Sequence, residues 1–305
     1  MDLAALFGQP LQRDPKIALT PPVVRPAKLG PEHKVQFVIE LVGPRSIPTQ
    51  AASSILTDQW YQALGQPEIY SMSPADNEWR TFVGANSGSL DSLALAWDIL
   101  SEKGELNSQA GAHLLRVAES FGAQVQRRAM PLPPPADINR MANALREFRD
   151  ALDIGVELML IPKEPSFSEK DIWIAAAGLG FDLGSSGCFE FKVAGIEEPL
   201  LSLTPLGGAS TFSLSAVERG EHHVGLMLGF SLPRSAHAAY SLDAAFRSAD
   251  YLSSYLGAMV FNDADQPLSL GTRHELSSNL DAAVRTMAGT GIEAGSAAAL
   301  KLFRA

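Results

Sequence analysis

Hydrophobic and polar residues follow two periods along the chain, and the periods separate strands from helices. Apolar runs at residues 35–42 and 156–161 predict strands. Steps of three and four predict helices at 49–64 and at 242–256, and the second of these ends at Gly257, a residue suited to a helix C-terminus. Strands and helices are therefore mixed along the whole chain.

The same order of elements occurs twice. Each half follows the pattern β-α-β-β-β-α-β-α, and residues 120–125 parallel residues 255–260, with a Pro-Leu pair after each. Coincidence between two α+β domains is the alternative to a duplication. We predict an α+β fold of two related units, each an antiparallel sheet with helices packed on one face. The predicted boundaries are a Pro-rich arm or linker at 1–33, a first domain at 34–152 and a second domain at 153–305.

Composition and charge narrow the classes of function. The 305 residues are 46% hydrophobic and 19% charged, as in a globular protein. The net charge of −10 argues against nucleic acid and against direct binding to a membrane surface. The single cysteine, Cys188, cannot form an internal disulfide, which favours the cytoplasm. No run of eighteen apolar residues and no signal peptide is present, so we expect a soluble chain, although an anchor removed from it would leave no trace.

Catalytic and metal-binding motifs are not found, so we predict no catalytic residue, no cofactor and no metal. His222 and His223 are adjacent on a predicted strand and would point to opposite faces. Asp263 and Asp265 lack the glycine and distal glutamate of a calcium loop. Cys188 is expected to be a small buried apolar residue.

Several predicted strands have apolar residues on both faces, notably 156–161 and 226–230. A sheet with helices on one face and water on the other should alternate apolar and polar residues. Either both faces are covered within the molecule, or one is an exposed apolar surface for a partner. The sequence leaves these two possibilities open.

The second half resembles the C-terminal FtsZ-binding domain family of ZipA, a membrane-anchored cell-division protein. The similarity is carried by residues 199–206 with the following Thr211-Phe212, by 226–233 and by 251–263. The first half is only faintly similar, and resembles the degenerate copy that precedes this domain in betaproteobacterial ZipA-like proteins. The resemblance implies an antiparallel sheet backed by helices, with an apolar groove on the opposite face for the C-terminal peptide of FtsZ.

By position, the resemblance places eight residues at the groove. Alternation puts Phe189 and Phe191 on one face, and general packing rules would bury both in the core; the resemblance alone turns them outward. Gly229 stands where the enterobacterial pattern has phenylalanine, so the groove would be wider there. The predicted groove residues are Met159, Ile161, Phe189, Phe191, Thr204, Leu206, Met227 and Gly229.

The function implied by the resemblance is a non-enzymatic adaptor that binds the FtsZ C-terminal peptide and helps to tether the Z-ring. Its location would be the cytoplasmic side of the bacterial inner membrane at the division septum. Contact with the membrane would require an anchor absent from this chain, because the transmembrane helix of ZipA has no counterpart here. The alternatives are a small-ligand-binding protein or enzyme that uses the cleft between the halves, and a first half that only stabilises the second. The oligomeric state is left open.

Overall fold

The computed structural model describes residues 3–23, 28–83, 88–102, 104–196, 198–207 and 211–304. The chain divides into two compact units, and the predicted α+β class is confirmed. The first unit comprises Ala27–Leu152 and Ser296–Ala305, and the second unit comprises Met1–Pro26 and Asp153–Gly295.

Ten α-helices, one 3₁₀ helix (Pro135–Asp137) and fifteen strands are found within the described residues. The helices are α1 (Leu3–Phe7), α2 (Thr49–Ile55), α3 (Asp58–Ala63), α4 (Ser108–Gln124), α5 (Ile138–Leu152), α6 (Glu169–Leu179), α7 (Leu214–Arg219), α8 (Ala238–Leu256), α9 (Leu270–Thr290) and α10 (Ala297–Leu302). The strands are β1 (Gln36–Pro48), β2 (Glu68–Met72), β3 (Trp79–Thr81), β4 (Ser89–Asp98), β5 (Leu100–Ser101), β6 (Gly104–Glu105), β7 (Arg128–Leu132), β8 (Gly155–Pro162), β9 (Phe167–Ser168), β10 (Asp182–Leu183), β11 (Phe189–Phe191), β12 (Leu201–Pro205), β13 (His222–His223), β14 (Leu226–Ser231) and β15 (Ala258–Asn262).

The first unit contains an antiparallel sheet with the strand order β3-β2-β4-β1-β7. Apolar residues of its two longest strands share one face, because Phe37 lies opposite Trp97 and Ile39 lies opposite Leu95 in the register. Helix α4 packs on this face, where its Gly111 lies beside Phe37. The rings of Phe37 and Trp97 stack with centroids 5.8 Å apart. Phe121 of α4 is fully buried at 0% exposure, so the core of this unit lies between the sheet and its helices.

The second unit contains an antiparallel sheet with the strand order β10-β11-β12-β14-β8-β15. Helix α8 packs across β8, β14 and β15, and α6 and α9 pack beside it. Gly257 ends α8 in the left-handed conformation at φ +69°, which a residue with a side chain adopts only with strain. Helix α8 therefore covers one face of this sheet.

The two sheets differ in how their second and third strands are paired. In the first unit β2 pairs with the central strand β4 and β3 lies at the edge. In the second unit the later strand, β12, pairs with the central strand β14, and β11 lies outside it. The earlier of the two strands therefore lies next to the central strand in the first unit, and the later one does so in the second unit. An internal duplication of the chain stays a prediction.

Both chain termini depart from the predicted boundaries. The first residues form α1 and pack on the second unit, with the ring of Phe7 lying 5.7 Å from that of Trp173. The N–H of Leu19 donates to the carbonyl of Leu179 at 3.1 Å, which supplies a donor to the end of α6, where carbonyls lack intrahelical partners. Parts of the arm predicted at 1–33 are thus packed, notably Phe7 and Leu19 at 3% exposure, whereas Val23 is 88% exposed. The final residues 296–305 belong to the first unit, which corrects the predicted second domain at 153–305.

Candidate functional site

The side chains of the second sheet alternate between a face covered by helices and an open face. In β8, Leu158 and Leu160 are fully buried beneath α8, whereas Glu157 is exposed and Met159 is half-buried. Because strands in register keep neighbouring side chains on the same face, the alternation extends across the sheet. The open face is formed by Glu157, Met159, Ile161, Glu190, Ser202, Thr204, Met227, Gly229, Met259 and Phe261.

An apolar row crosses four strands near the middle of the open face. Thr204 lies opposite Met227, Met227 opposite Met159, and Met159 opposite Phe261. All four side chains are half-buried. Directly opposed residues on neighbouring strands have Cβ atoms about 4.5–5.5 Å apart, so the row is a continuous surface.

A second apolar row lies beside the first. Ile161 is opposite Met259, whose side chain is 46% exposed. Leu206 follows β12, and its N–H donates to the carbonyl of Gly225 at 2.8 Å, which holds it at the end of the central strands. The open face therefore presents apolar side chains that the structure leaves accessible.

Six of the eight predicted groove residues lie on this open face or at its margin, and their role in binding stays a prediction. They come from three different strands that the register brings together. These residues are Met159, Ile161, Thr204, Leu206, Met227 and Gly229.

The placement of Phe189 and Phe191 in the groove is wrong. Their side chains are 2% and 1% exposed, and Phe189 lies opposite Leu203 on the helix-covered face. The ring of Phe189 makes a T-shaped contact with Trp173 of α6 at 5.0 Å, and the ring of Phe191 lies 5.9 Å from Phe181. Such aromatic contacts and burial stabilise the core, so both residues support the sheet from behind.

Gly229 forms a low point on the open face. It lies between Ser202 and Glu157 in the register. A Cβ atom built on Gly229 would approach the carbonyl oxygen of Val156 to 2.5 Å, closer than real Cβ atoms come to a neighbour. The close backbone approach therefore favours glycine here, and the surface carries a notch where a side chain would otherwise stand.

Sequence reasoning missed Met259 and Phe261. The order β-α-β-β-β-α-β-α predicts a strand after the helix that ends at Gly257, but it does not predict which strand lies beside it in the sheet. Pairing of β15 with β8 turns both side chains toward Met159 and Ile161. The alternation of Met259 and Phe261, two residues apart after Gly257, was the available signal.

A buried acid lies on the covered side. Glu169 is 0% exposed and His223 is 5% exposed, and the imidazole Nε2 contacts the Glu169 carboxylate. The same carboxylate accepts the indole N–H of Trp173 at 3.1 Å and the backbone N–H of Ser213 at 2.8 Å. Two N–H donors and the imidazole thus contact this carboxylate, so the cluster ties α6, α7 and β13 together as a structural network.

Other titratable residues do not converge. Within the described ranges, no group of three or more His, Cys, Asp and Glu side chains is arranged to hold a metal ion. His222 is exposed, with its Nδ1 3.3 Å from the hydroxyl of Ser166. Asp263 and Asp265 are exposed in a turn that Asn262 organises by accepting two backbone N–H groups.

The face of the first sheet that points away from its helices is closed at its centre, whereas Met130 and Leu132 on its edge strand β7 are 47% and 44% exposed. Val38 and Ala94 are 0% exposed, Ala96 is 1% exposed and Tyr70 is 8% exposed. The side chain of Trp79 packs against this cluster. The centre of this face therefore offers no accessible apolar row.

A charged network lies at one end of that closed face. The ammonium of Lys301 on α10 donates to both carboxylate oxygens of Glu68 at 2.6 Å and lies 3.9 Å from Asp98. Gln36, fully buried, donates to Asp98 at 2.9 Å. Burial raises the pKa of Glu68, but the hydrogen bonds from Lys301 and Tyr70 outweigh it, so the pKa is lowered overall.

Comparison with known proteins bears on the second unit. Residues 154–279 match the family model described as ZipA, C-terminal FtsZ-binding domain. The resemblance of the second half to ZipA is confirmed. The match runs from the start of β8 into α9 and so includes every strand of the open face. Residues 34–152 lie outside it, and the tandem form stays a prediction.

No curated protein matches the chain. None of the described helices is both long enough and apolar enough to cross a bilayer.

Proposed function

We propose that the protein is a non-enzymatic cell-division adaptor that binds the C-terminal peptide of FtsZ on the open face of the second sheet. The observation that carries the proposal is the apolar row of Thr204, Met227, Met159 and Phe261, which lies within the ZipA-like domain and stays partly exposed. Accessible apolar patches of this kind mark sites of protein interaction.

The face suits a short peptide with apolar anchors. A sheet held by α8 from behind is a rigid support, so binding needs little rearrangement of the backbone. Methionine side chains are flexible and polarisable, and Met159 and Met227 can adjust to the shape of the anchors. A few buried anchors supply most of the binding free energy in such interfaces.

In the cell, this binding would connect FtsZ filaments to the cytoplasmic side of the inner membrane at the septum. Connection to the bilayer would use a membrane anchor or a membrane-bound partner, because the acidic chain does not favour direct contact with anionic lipids.

The test is calorimetric titration of the full chain with the FtsZ C-terminal peptide, and with a scrambled peptide of the same composition as control. We expect one peptide to bind per chain, because among the described residues the outer face of the first sheet is buried at its centre, whereas the second sheet presents a partly exposed apolar row across four strands. Equal heats for both peptides, or no heat for either, would refute the proposal. Two sites of equal affinity would show that the first sheet also binds.

A further inference from the structure

The open face is apolar at one end of its strands and polar at the other. The polar row contains Glu190, Ser202, Gly229 and Glu157 in register. Glu190 forms an ion pair with Lys192. Across the described part of the chain, no basic nitrogen lies within ion-pair distance of the Glu157 carboxylate. Glu157 is therefore a free, exposed negative charge on the candidate binding face.

Glu157 borders the notch at Gly229. A Cβ atom built on Gly229 would lie 3.3 Å from Cγ of Glu157, and one built on Gly155 would lie 3.7 Å from its Oε1. The carboxylate thus stands beside a floor of two glycines. Met159, in the apolar row, is two residues further along the same strand, a distance of about 7 Å.

We propose that Glu157 is a specificity-determining residue that pairs with a lysine or arginine of the bound peptide, next to the apolar anchors. The proposal rests on the proposed function and adds a charge requirement to it. The glycine floor leaves space for the long side chain, and the aliphatic part of a lysine or arginine can lie along Met159 while its charged end reaches Glu157.

The physical reason is the cost of covering a carboxylate. A peptide seated on the apolar row removes water from Glu157, and a partly desolvated charge is unfavourable unless it is paired. A basic residue restores the lost interaction. An acidic residue at the same place would be repelled, so the site selects by attraction and by repulsion.

The first experiment is titration of the full-length Glu157→Gln variant with the FtsZ C-terminal peptide at low salt. Pairs at the rim of an interface are modest, so we expect affinity to fall about two- to fivefold. The difference should shrink at about 1 M salt, where screening acts over about 3 Å. Glu164→Gln is the matched control, because Glu164 is exposed in the loop after β8 and off the open face.

The second experiment replaces each lysine and arginine of the peptide by methionine, one at a time. One replacement should weaken binding to the wild-type protein and have no further effect on Glu157→Gln. Unchanged affinity of Glu157→Gln at low salt, or independent losses for every replacement, would overturn the role of Glu157. Absence of binding to the wild-type protein would instead refute the proposed function itself.

Discussion

The two large sheets of this protein each have one face covered by helices, and they differ in the other face. The central strand β4 of the first sheet places Ala94 and Ala96 there, and both are buried. The central strand β14 of the second sheet places Met227 and Gly229 there, and neither is covered completely. Small side chains at the centre of the first face let it be closed there, whereas partly exposed methionines at the centre of the second face leave an adaptable surface. The same architecture thus yields one face that is closed at its centre and one that is open.

The largest effect is expected from a test of which face of the second sheet is core. Phe191→Ala removes a ring that is 1% exposed, and such core truncations cost about 3–5 kcal/mol of unfolding free energy. Phe261→Ala is the matched control on the open face, where the ring is half-buried. Denaturant unfolding should show the larger loss of unfolding free energy for Phe191→Ala. Peptide titration should show the larger loss of affinity for Phe261→Ala. A larger loss of peptide affinity for Phe191→Ala, with a larger loss of stability for Phe261→Ala, would instead place Phe191 on the binding face.

The next test compares the two sheet faces that point away from the helices. Met227→Asp places a charge at the centre of the apolar row, and loss of a central anchor costs about 2 kcal/mol or more, which is roughly thirtyfold in affinity. Met130→Asp makes the same change on the first sheet, where Met130 is 47% exposed on β7, and should leave affinity for the FtsZ peptide unchanged. Titration checks both variants, with thermal melts to confirm folding. Weaker binding by Met130→Asp would mean that the closed face also takes part.

A smaller effect concerns the network at the end of the closed face. Lys301→Met leaves the carboxylates of Glu68 and Asp98 without their cation. We expect a loss of about 1–2 kcal/mol in unfolding free energy, since Glu68 is partly exposed and water screens part of the interaction. Arg304→Met removes a charge from an exposed position in the same terminal segment and should be close to neutral. Equal stability of the two variants, measured by denaturant unfolding, would show that Lys301 does not hold this region.

The smallest expected effect is a pH dependence of the unfolding free energy lost in Lys301→Met. The pKa of Glu68 is lowered from 4.5 in the folded state, so its ionised form contributes stability that is fully present above pH 4.5. This contribution is lost as the pH falls through the lowered folded-state pKa. The difference in unfolding free energy between wild type and Lys301→Met should therefore be largest near neutral pH and decrease on acidification below pH 4.5. A difference that is constant or grows toward low pH would exclude the Lys301–Glu68 pair as its origin.

The local sequence was sufficient to predict several secondary-structure elements. The apolar run at 156–161 corresponds to β8 at Gly155–Pro162, and Gly257 ends α8 as expected of a residue that tolerates positive φ. The helix predicted at 49–64 is instead two short helices, α2 and α3, with Leu56 and Thr57 between them outside helical conformation. Segments of this length depend on tertiary packing more than on propensity.

By itself, the sequence determined which residues alternate along each strand, the mixed α+β class and the similarity of the second half to ZipA. Only the tertiary structure decided which face of each strand is covered. Alternation puts Phe189 and Phe191 on one face, but the packing of α6 behind that face is what buries them. Pairing of β15 with β8 likewise completes the apolar surface. These contacts join residues far apart in the chain, and a local pattern of period two is the same whichever face the helices cover.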